Sequence, residues 1–132
     1  MLENTVITIK RRQQLALITS GAISTLAPTA MIAFGSGGLD ADENPIPPAV
    51  TADSLNHELA RYPLDSVTYP LDPQPRTTTR YVASIPENDL VGMSISEAAL
   101  VDANGDLCAI QTMFALRKSG GTTLTFTFDD VF

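Results

Sequence analysis

Few residues of this chain have side chains suited to catalysis or metal binding, and they are widely spaced. His57 is the only histidine and Cys108 the only cysteine. A zinc site needs several such ligands, and a nucleophilic triad needs a base beside its nucleophile, so neither is predicted. His57 beside Glu58 is typical of a surface or interface residue. The sequence therefore predicts no catalytic residue, no metal and no cofactor.

Two acidic segments carry oxygen ligands. Asp102, Asn104 and Asp106 are spaced like the first ligands of an EF-hand loop, but the twelfth position, which needs a bidentate glutamate, is Met113. A hairpin turn is the better interpretation. The other acidic segment, residues 40–44, is predicted to be a solvated loop.

Glu97 has the most apolar surroundings of the acidic residues, between Ile95 and residues 98–100. An unpaired buried carboxylate is strongly unfavourable, so this one needs partners. The inward and outward alternation slips at Ser96 and Glu97, which predicts a β-bulge. We expect Glu97 to accept backbone N–H groups, or to pair with an arginine such as Arg80, and so to hold the sheet together.

A glycine-rich segment, Gly35-Ser-Gly-Gly38, resembles a phosphate-binding loop only superficially. It lacks the Lys-Ser/Thr pair and the following helix of a P-loop. Since glycine allows sharp corners and close backbone approach, a corner at the end of a strand is predicted.

Most of the elements that must position these residues are predicted strands. Residues 123–128 alternate most clearly, with Leu124, Phe126 and Phe128 facing inward. A hairpin turns near Asn104-Gly105, because this dipeptide tolerates the positive φ of tight turns. The other strands are residues 5–9, 29–34, 65–69 and 77–85, and the return strand of the hairpin, residues 107–116. A Pro-rich excursion (residues 45–50) and a loop at residues 70–75 separate them.

Two short helices are predicted. The first covers residues 10–20, buries Leu15 and Ile18, and ends at Gly21. Its basic start, Lys10-Arg-Arg12, is interpreted as solvated. The apolar stretch from residue 15 to residue 34 is interrupted by polar residues and by Pro28, so it is interpreted as a helix and a strand, without a membrane span.

The second helix is predicted over roughly residues 53–61. Thr51 or Asp53 would cap its start, and Pro63 would end it. Its core-facing residues, at positions i, i+4 and i+7, would be Leu55, Leu59 and Tyr62.

The segment from Gly92 to Leu107 reads Gly-Met-Ser-Ile-Ser-Glu-Ala-Ala-Leu-Val-Asp-Ala-Asn-Gly-Asp-Leu. It resembles the amino-terminal, virion-attachment domain of phage tail-collar fibre proteins. Other pieces follow the order of that family between about Thr5 and Phe128. They are the strand and glycine corner at residues 29–38, the Pro-rich bend at 44–48, the segment 55–59, and the segment 85–88.

The length of 132 residues predicts one domain, residues 1–132, with residues 1–9 as an extended arm. We expect an α+β fold, mainly an antiparallel β-sheet or sandwich, with two short helices. A net charge of −7 argues against nucleic-acid binding. A single cysteine excludes an intrachain disulfide and suits assembly in a reducing cytoplasm.

The resemblance implies a structural component of a phage tail or tailocin, which attaches a tail fibre or joins baseplate subunits. It would assemble in the host cytoplasm and reside in the virion tail. Its partners would be other tail or baseplate proteins and further copies of itself, and we expect a trimer that forms through exposed Val6, Ile7 and Ile46. The first nine residues, the first helix and the loop at residues 40–50 are the expected docking segments.

Two other functions are weighed against this one. The alternative is a glycan- or receptor-binding module of a phage tail, although the chain has no Trp and only three Tyr as platforms. A collar fibre continues into a shaft, and none follows Phe132, so receptor binding is not the first expectation. A hydrolase of cell-wall polymer would need paired catalytic carboxylates and ranks last.

Overall fold

Antiparallel strands dominate the computed structural model, which describes residues 4–70 and 77–132. The described elements are β1 (Thr5–Ile7), α1 (Ile9–Thr19), β2 (Thr29–Gly35), β3 (Glu58–Pro63), β4 (Ser66–Thr68), β5 (Thr78–Ile85), β6 (Ser94–Asp102), β7 (Leu107–Arg117) and β8 (Leu124–Val131). The predicted strands are present, with shifted ends. Apart from Pro70, the loop predicted at residues 70–75 lies outside the described residues.

The strands form two antiparallel sheets. The larger has the order β1-β7-β6-β2-β3, and the smaller has the order β4-β5-β8. In β8, Phe126 and Phe128 are buried while Thr125 and Thr127 are exposed, as the alternation predicts.

Both faces of the larger sheet are apolar. Strands of the two sheets share one hydrophobic cluster, which includes Ile32, Phe34 and Leu100 from the larger sheet and Ile85 and Phe128 from the smaller. Residues on the opposite face of the larger sheet form a second cluster together with Leu55, which precedes β3. Its buried members are Ala33, Leu55, Ala99, Val101, Leu107 and Ile110. β6 is therefore buried along nearly its whole length, and only its first residue, Ser94, is exposed.

The β6–β7 hairpin turns where the sequence predicts. Gly105 has φ of +89° and donates its N–H to the carbonyl of Asp102 at 3.0 Å. Asp102 Oδ1 accepts the N–H groups of Asn104 at 2.9 Å and Asp106 at 3.0 Å. The Asp102 carboxylate therefore stabilises the turn, in agreement with the hairpin interpretation.

The first helix is confirmed, one residue earlier than predicted. Thr8 caps it by accepting the N–H of Arg11, and Gly21, with φ of +82°, follows its last turn. Leu15 and Ile18 lie on its half-buried side. Among the described residues, no helix is long and apolar enough to cross a membrane.

The prediction of a second helix over residues 53–61 is wrong. Glu58–Pro63 is a strand that pairs with β2, and residues 53–57 before it form bends and a turn. The three apolar residues do not share a face. Leu55 belongs to one hydrophobic cluster, while Leu59 and Tyr62 pack against the other. Their helical spacing is a coincidence. The segment pairs instead with the side of β2 that β6 leaves free.

The predicted trimer surface is largely covered. Ile7 is only 7 % exposed, and Val6 packs against the second cluster. In the pairing of β1 with β7, Ile7 is buried and Val6 is half-buried, so residues 5–7 are part of the sheet and not of a free arm. Of the three apolar residues proposed for that surface, Ile46 alone is exposed.

Candidate functional site

The predicted bulge on β6 lies next to Glu97, whose side chain is buried. The pairing of β6 with β7 shifts register between Ile95 and Glu97, and the Glu97 side chain is buried, with 1 % exposed. On its other side, β6 pairs with β2, where Gly35 is the residue opposite Glu97.

Three backbone N–H groups from two other segments converge on this carboxylate. Gly37 and His57 each donate to Oε2 at 2.8 Å, and Asn56 donates to Oε1 at 2.9 Å. We call these four residues the Glu97 junction. Because a carboxylate can accept several N–H donors, its negative charge is compensated without a cationic partner.

The glycine corner allows the chain to pass close to this carboxylate. A Cβ on Gly35 would lie 2.5 Å from Glu97 Oε2, and one on Gly37 would lie 2.6 Å from Cβ of Asn56. A Cβ on Gly38 would collide with the backbone carbonyl of Ser96. The corner therefore requires glycines, because a larger side chain would collide with residues next to the junction. This agrees with the close backbone approach that the sequence predicts.

The alternative partner predicted for Glu97, Arg80, lies elsewhere. Its guanidinium forms a two-pronged pair with Asp129 on β8, with N–O distances of 2.8 and 3.0 Å. The prediction of backbone N–H donors is confirmed, and the Arg80 alternative is wrong. Asp129 sits opposite Arg80 across the β5–β8 ladder, which explains the pairing.

A contact that the sequence does not reveal joins Ser36 and His57. The serine Oγ lies 2.6 Å from the imidazole Nδ1, and the Ser36 N–H donates to the His57 carbonyl at 3.0 Å. These residues are 21 positions apart and have no shared local pattern, so sequence reasoning misses them.

This Ser36–His57 pair has the composition of the first two members of a nucleophilic triad, but the nearby groups have other partners. Glu97 binds the backbone N–H of His57 rather than its ring. The N–H of Gly37, next to the serine, is also donated to Glu97, so it is not free to stabilise an oxyanion. The arrangement favours a structural bond.

A small cavity lies beside the Glu97 junction. Its volume is about 180 Å³, and its lining includes Pro48, Leu55, Ile110 and Glu97. Pockets that bind drug-sized ligands usually span about 300–1,000 Å³, so this one is small. Both oxygens of Glu97 already accept N–H groups, which reduces what they can offer to a ligand.

The remaining acidic residues form turns and pairs. Asp40 Oδ1 accepts the N–H groups of Asp42 and Asn44, so the acidic loop is a braced turn. Lys10 pairs with Asp106 at the surface at 2.8 Å. In the part of the chain that the structure describes, no three His, Cys, Asp or Glu side chains are placed to hold a metal ion.

Two further buried side chains, Cys108 and Asp130, have raised pKa values. Burial raises the pKa of the Cys108 thiol to about 11, which disfavours the reactive thiolate at neutral pH. Burial also raises the pKa of Asp130 to about 6, and the positive charge of Arg11 opposes that rise in part. Neither residue lines the cavity beside the junction.

No family model, curated protein or solved structure matches this chain. Within the molecule, three segments that are far apart in the sequence meet at one point. The glycine corner, the segment around residues 55–59 and strand β6 are joined by the Glu97 junction.

Proposed function

We propose that this protein is a structural component of a phage tail or tailocin, which attaches a tail fibre or joins baseplate subunits. In this proposal it acts without catalysis, as a two-sheet sandwich in the tail of the virion. The ordered resemblance to tail-collar fibre domains supports the proposal.

The observation that carries it is the Glu97 junction. One buried carboxylate on β6 binds two segments that lie 40 to 60 residues before it in the chain. Its oxygens are filled by amides, so it is a fixed support and not a free acid or base. Such a support suits a domain that has to transmit force between neighbouring proteins.

The docking surface is proposed to include the acidic loop at residues 40–50. Its Asp42 and Glu43 are exposed, while Asp40 braces the turn. The loop is held on the sheet, because the Thr112 hydroxyl donates to the carbonyl of Ile46 at 2.7 Å. A braced, acidic projection would present fixed charge to a basic surface of a tail partner. We propose that further copies of the chain join the same assembly, as a trimer.

Incorporation into particles tests the proposal. Epitope-tagged wild type is expected to co-purify with tails on a density gradient. Replacing Asp42 and Glu43 by Asn and Gln removes exposed charge while Asp40 keeps the turn, and we expect less incorporation. Exchanging Glu87 for Gln, on a different exposed turn, is the matched control and is expected to incorporate normally. Absence of the wild-type chain from purified tails would contradict the proposal.

A glycan- or receptor-binding role is the second candidate. The observation in its favour is a shallow depression of about 420 Å³ next to exposed Tyr69, lined also by Thr77, Thr78, Thr79 and Phe132. Aromatic faces with adjacent hydroxyls suit sugar rings. Binding of the wild type to a glycan array, and its loss in Tyr69→Ala, would favour this candidate over the structural one.

A further inference from the structure

Strand β8 is the longest uninterrupted edge strand of either sheet in residues 4–70 and 77–132. The other edge strands are β1 and β4, which have three residues each, and β3, which is interrupted by a register shift and ends at Pro63. β8 pairs with β5 residue for residue from Leu124 to Val131 and contains no Lys, Pro or Gly. Proteins usually protect long edges by such residues, by bulges or by charged residues, and of these β8 has only Asp129 and the inward-facing Asp130.

Every second residue of β8 directs its backbone N–H and C=O groups away from β5. Phe132 donates its N–H to the Thr77 carbonyl at 2.8 Å, on the β5 side. The carbonyl of Val82, opposite Thr127, instead accepts from Asp65 on the far side of β5. Because backbone groups alternate along a strand, residues 124, 126, 128 and 130 bond to β5. Residues 125, 127, 129 and 131 therefore direct their N–H and C=O groups to the open edge.

We propose that β8 pairs with β8 of a second copy of this chain, antiparallel and about a two-fold axis at Thr127. The two three-stranded sheets then join into one continuous sheet. The inference goes beyond the proposed tail role, since this two-fold contact is separate from the proposed trimer and depends only on the geometry of this edge.

The pattern of side chains selects this register. Rows of core-facing and outward-facing residues stay aligned only if odd residues oppose odd residues. With Thr127 opposite Thr127, Phe126 faces Phe128 of the second copy and Thr125 faces Asp129. The two Asp129 carboxylates are then four residues apart along the strand, about 13 Å. A register centred on Phe128 would bring the two Asp129 carboxylates within about 7 Å of each other along the strand. Their repulsion disfavours that register.

A second copy fits this edge because the strand is complementary to itself. Each carboxylate of one copy opposes an uncharged residue of the other, and the Thr125 hydroxyl can donate to Asp129 across the junction. Threonine is also favoured in strands and at cross-strand pairs. The pairing needs no rearrangement, since the free groups already point outward.

Cysteine substitution tests both the contact and its register. Thr127→Cys places two thiols opposite each other at a distance compatible with a disulfide. Thr125→Cys is the matched control, because it is equally outward-facing on the same strand but opposes Asp129. Under mild oxidation we expect Thr127→Cys to form a covalent dimer at least ten-fold faster than Thr125→Cys. The native Cys108 is buried and remains in both variants.

Thr127→Pro provides a second test by light scattering. Its N–H points to the open edge, so proline removes no bond to β5 and the fold should persist, which a thermal melt verifies. We expect wild type to associate with rising concentration and the proline variant to remain monomeric. Equal cross-linking of the two cysteine variants, or association of folded Thr127→Pro like wild type, overturns the proposal. A Thr127→Cys chain that stays monomeric under oxidation also overturns it.

Discussion

Glu97 and Asp130 are both buried carboxylates, with 1 % and 8 % of their surface exposed, but their surroundings differ in kind. Glu97 accepts three backbone N–H groups from two other segments. Asp130, near the end of β8, is influenced by burial and by the charge of Arg11, and its pKa is raised to about 6. The Glu97 carboxylate accepts hydrogen bonds where it is buried, whereas burial favours the neutral form of Asp130.

The difference shows that burial by itself does not decide whether a charge supports a fold. Desolvation penalises the charged form at both positions, and hydrogen bonds to that form offset the penalty. At Glu97 the donors are backbone groups of the glycine corner and of the turn at Asn56 and His57, and their bonds to the carboxylate are partly buried. The carboxylate and the loops therefore stabilise each other.

Removal of Glu97 has the largest expected effect. Glu97→Ala leaves the N–H groups of Gly37, Asn56 and His57 without their acceptor, so we expect the free energy of unfolding to fall by about 3–5 kcal/mol. Urea denaturation followed by circular dichroism measures it. Glu58→Ala, which removes an exposed pair with Arg61, is the control and should cost about 1 kcal/mol or less. A Glu97→Ala variant as stable as that control would refute the role of the junction.

Asp130→Asn is expected to act in the opposite direction. A pKa of about 6 in the folded state, against 3.8 in the unfolded state, means that the folded protein binds the proton more tightly. The stability due to this proton is complete below about pH 4, falls as the pH rises to about 6, and is absent above it. The substitution should therefore stabilise the protein at pH 8, by at most about 3 kcal/mol, and have little effect at pH 4.

The control for Asp130→Asn is Asp129→Asn, the adjacent residue on the outward face, which pairs with Arg80. It should show no comparable gain at pH 8. Stability curves of wild type and both variants between pH 4 and pH 8 provide the measurement. Destabilisation by Asp130→Asn at pH 8 would mean that its carboxylate is better supported than the comparison assumes.

Gly38→Ala tests how tightly the corner is packed around the junction. The new Cβ would collide with the Ser96 carbonyl, and a backbone obstacle cannot rotate away, so a loss of about 1–3 kcal/mol is expected. In Gly120→Ala the Cβ would meet Val91 Cγ1 at 3.5 Å, an ordinary contact. Chemical denaturation of the two alanine variants should separate them, and equal stabilities would remove the steric argument.

His57→Ala has the smallest expected effect. It deletes the imidazole bonded to Ser36 but keeps the backbone N–H that reaches Glu97, so the loss should be about 1 kcal/mol or less. Ser36→Ala should match it, because the two side chains share one exposed bond. A thermal melt of each variant measures this, and a loss near that of Glu97→Ala would place the imidazole inside the junction.

The sequence alone determined the features that arise from neighbouring residues. The turn at Gly105 follows from its tolerance of positive φ, and the inward row of Phe126 and Phe128 follows from strict alternation. The bulge at Glu97, and its need for N–H donors, followed from a phase slip in an apolar strand. Each of these signals is contained within a few residues, so no knowledge of distant segments was required.

The tertiary structure decided which distant groups meet. Leu55, Leu59 and Tyr62 have helical spacing, yet β2 recruits the chain as strand β3, and Glu97 takes the N–H groups of Asn56 and His57 that a helix would have used. The Ser36–His57 contact and the burial of Asp130 likewise depend on segments far apart in sequence. The physical reason is that a backbone N–H is satisfied by whichever acceptor the folded chain brings within about 3 Å, and local residue patterns carry no record of that acceptor.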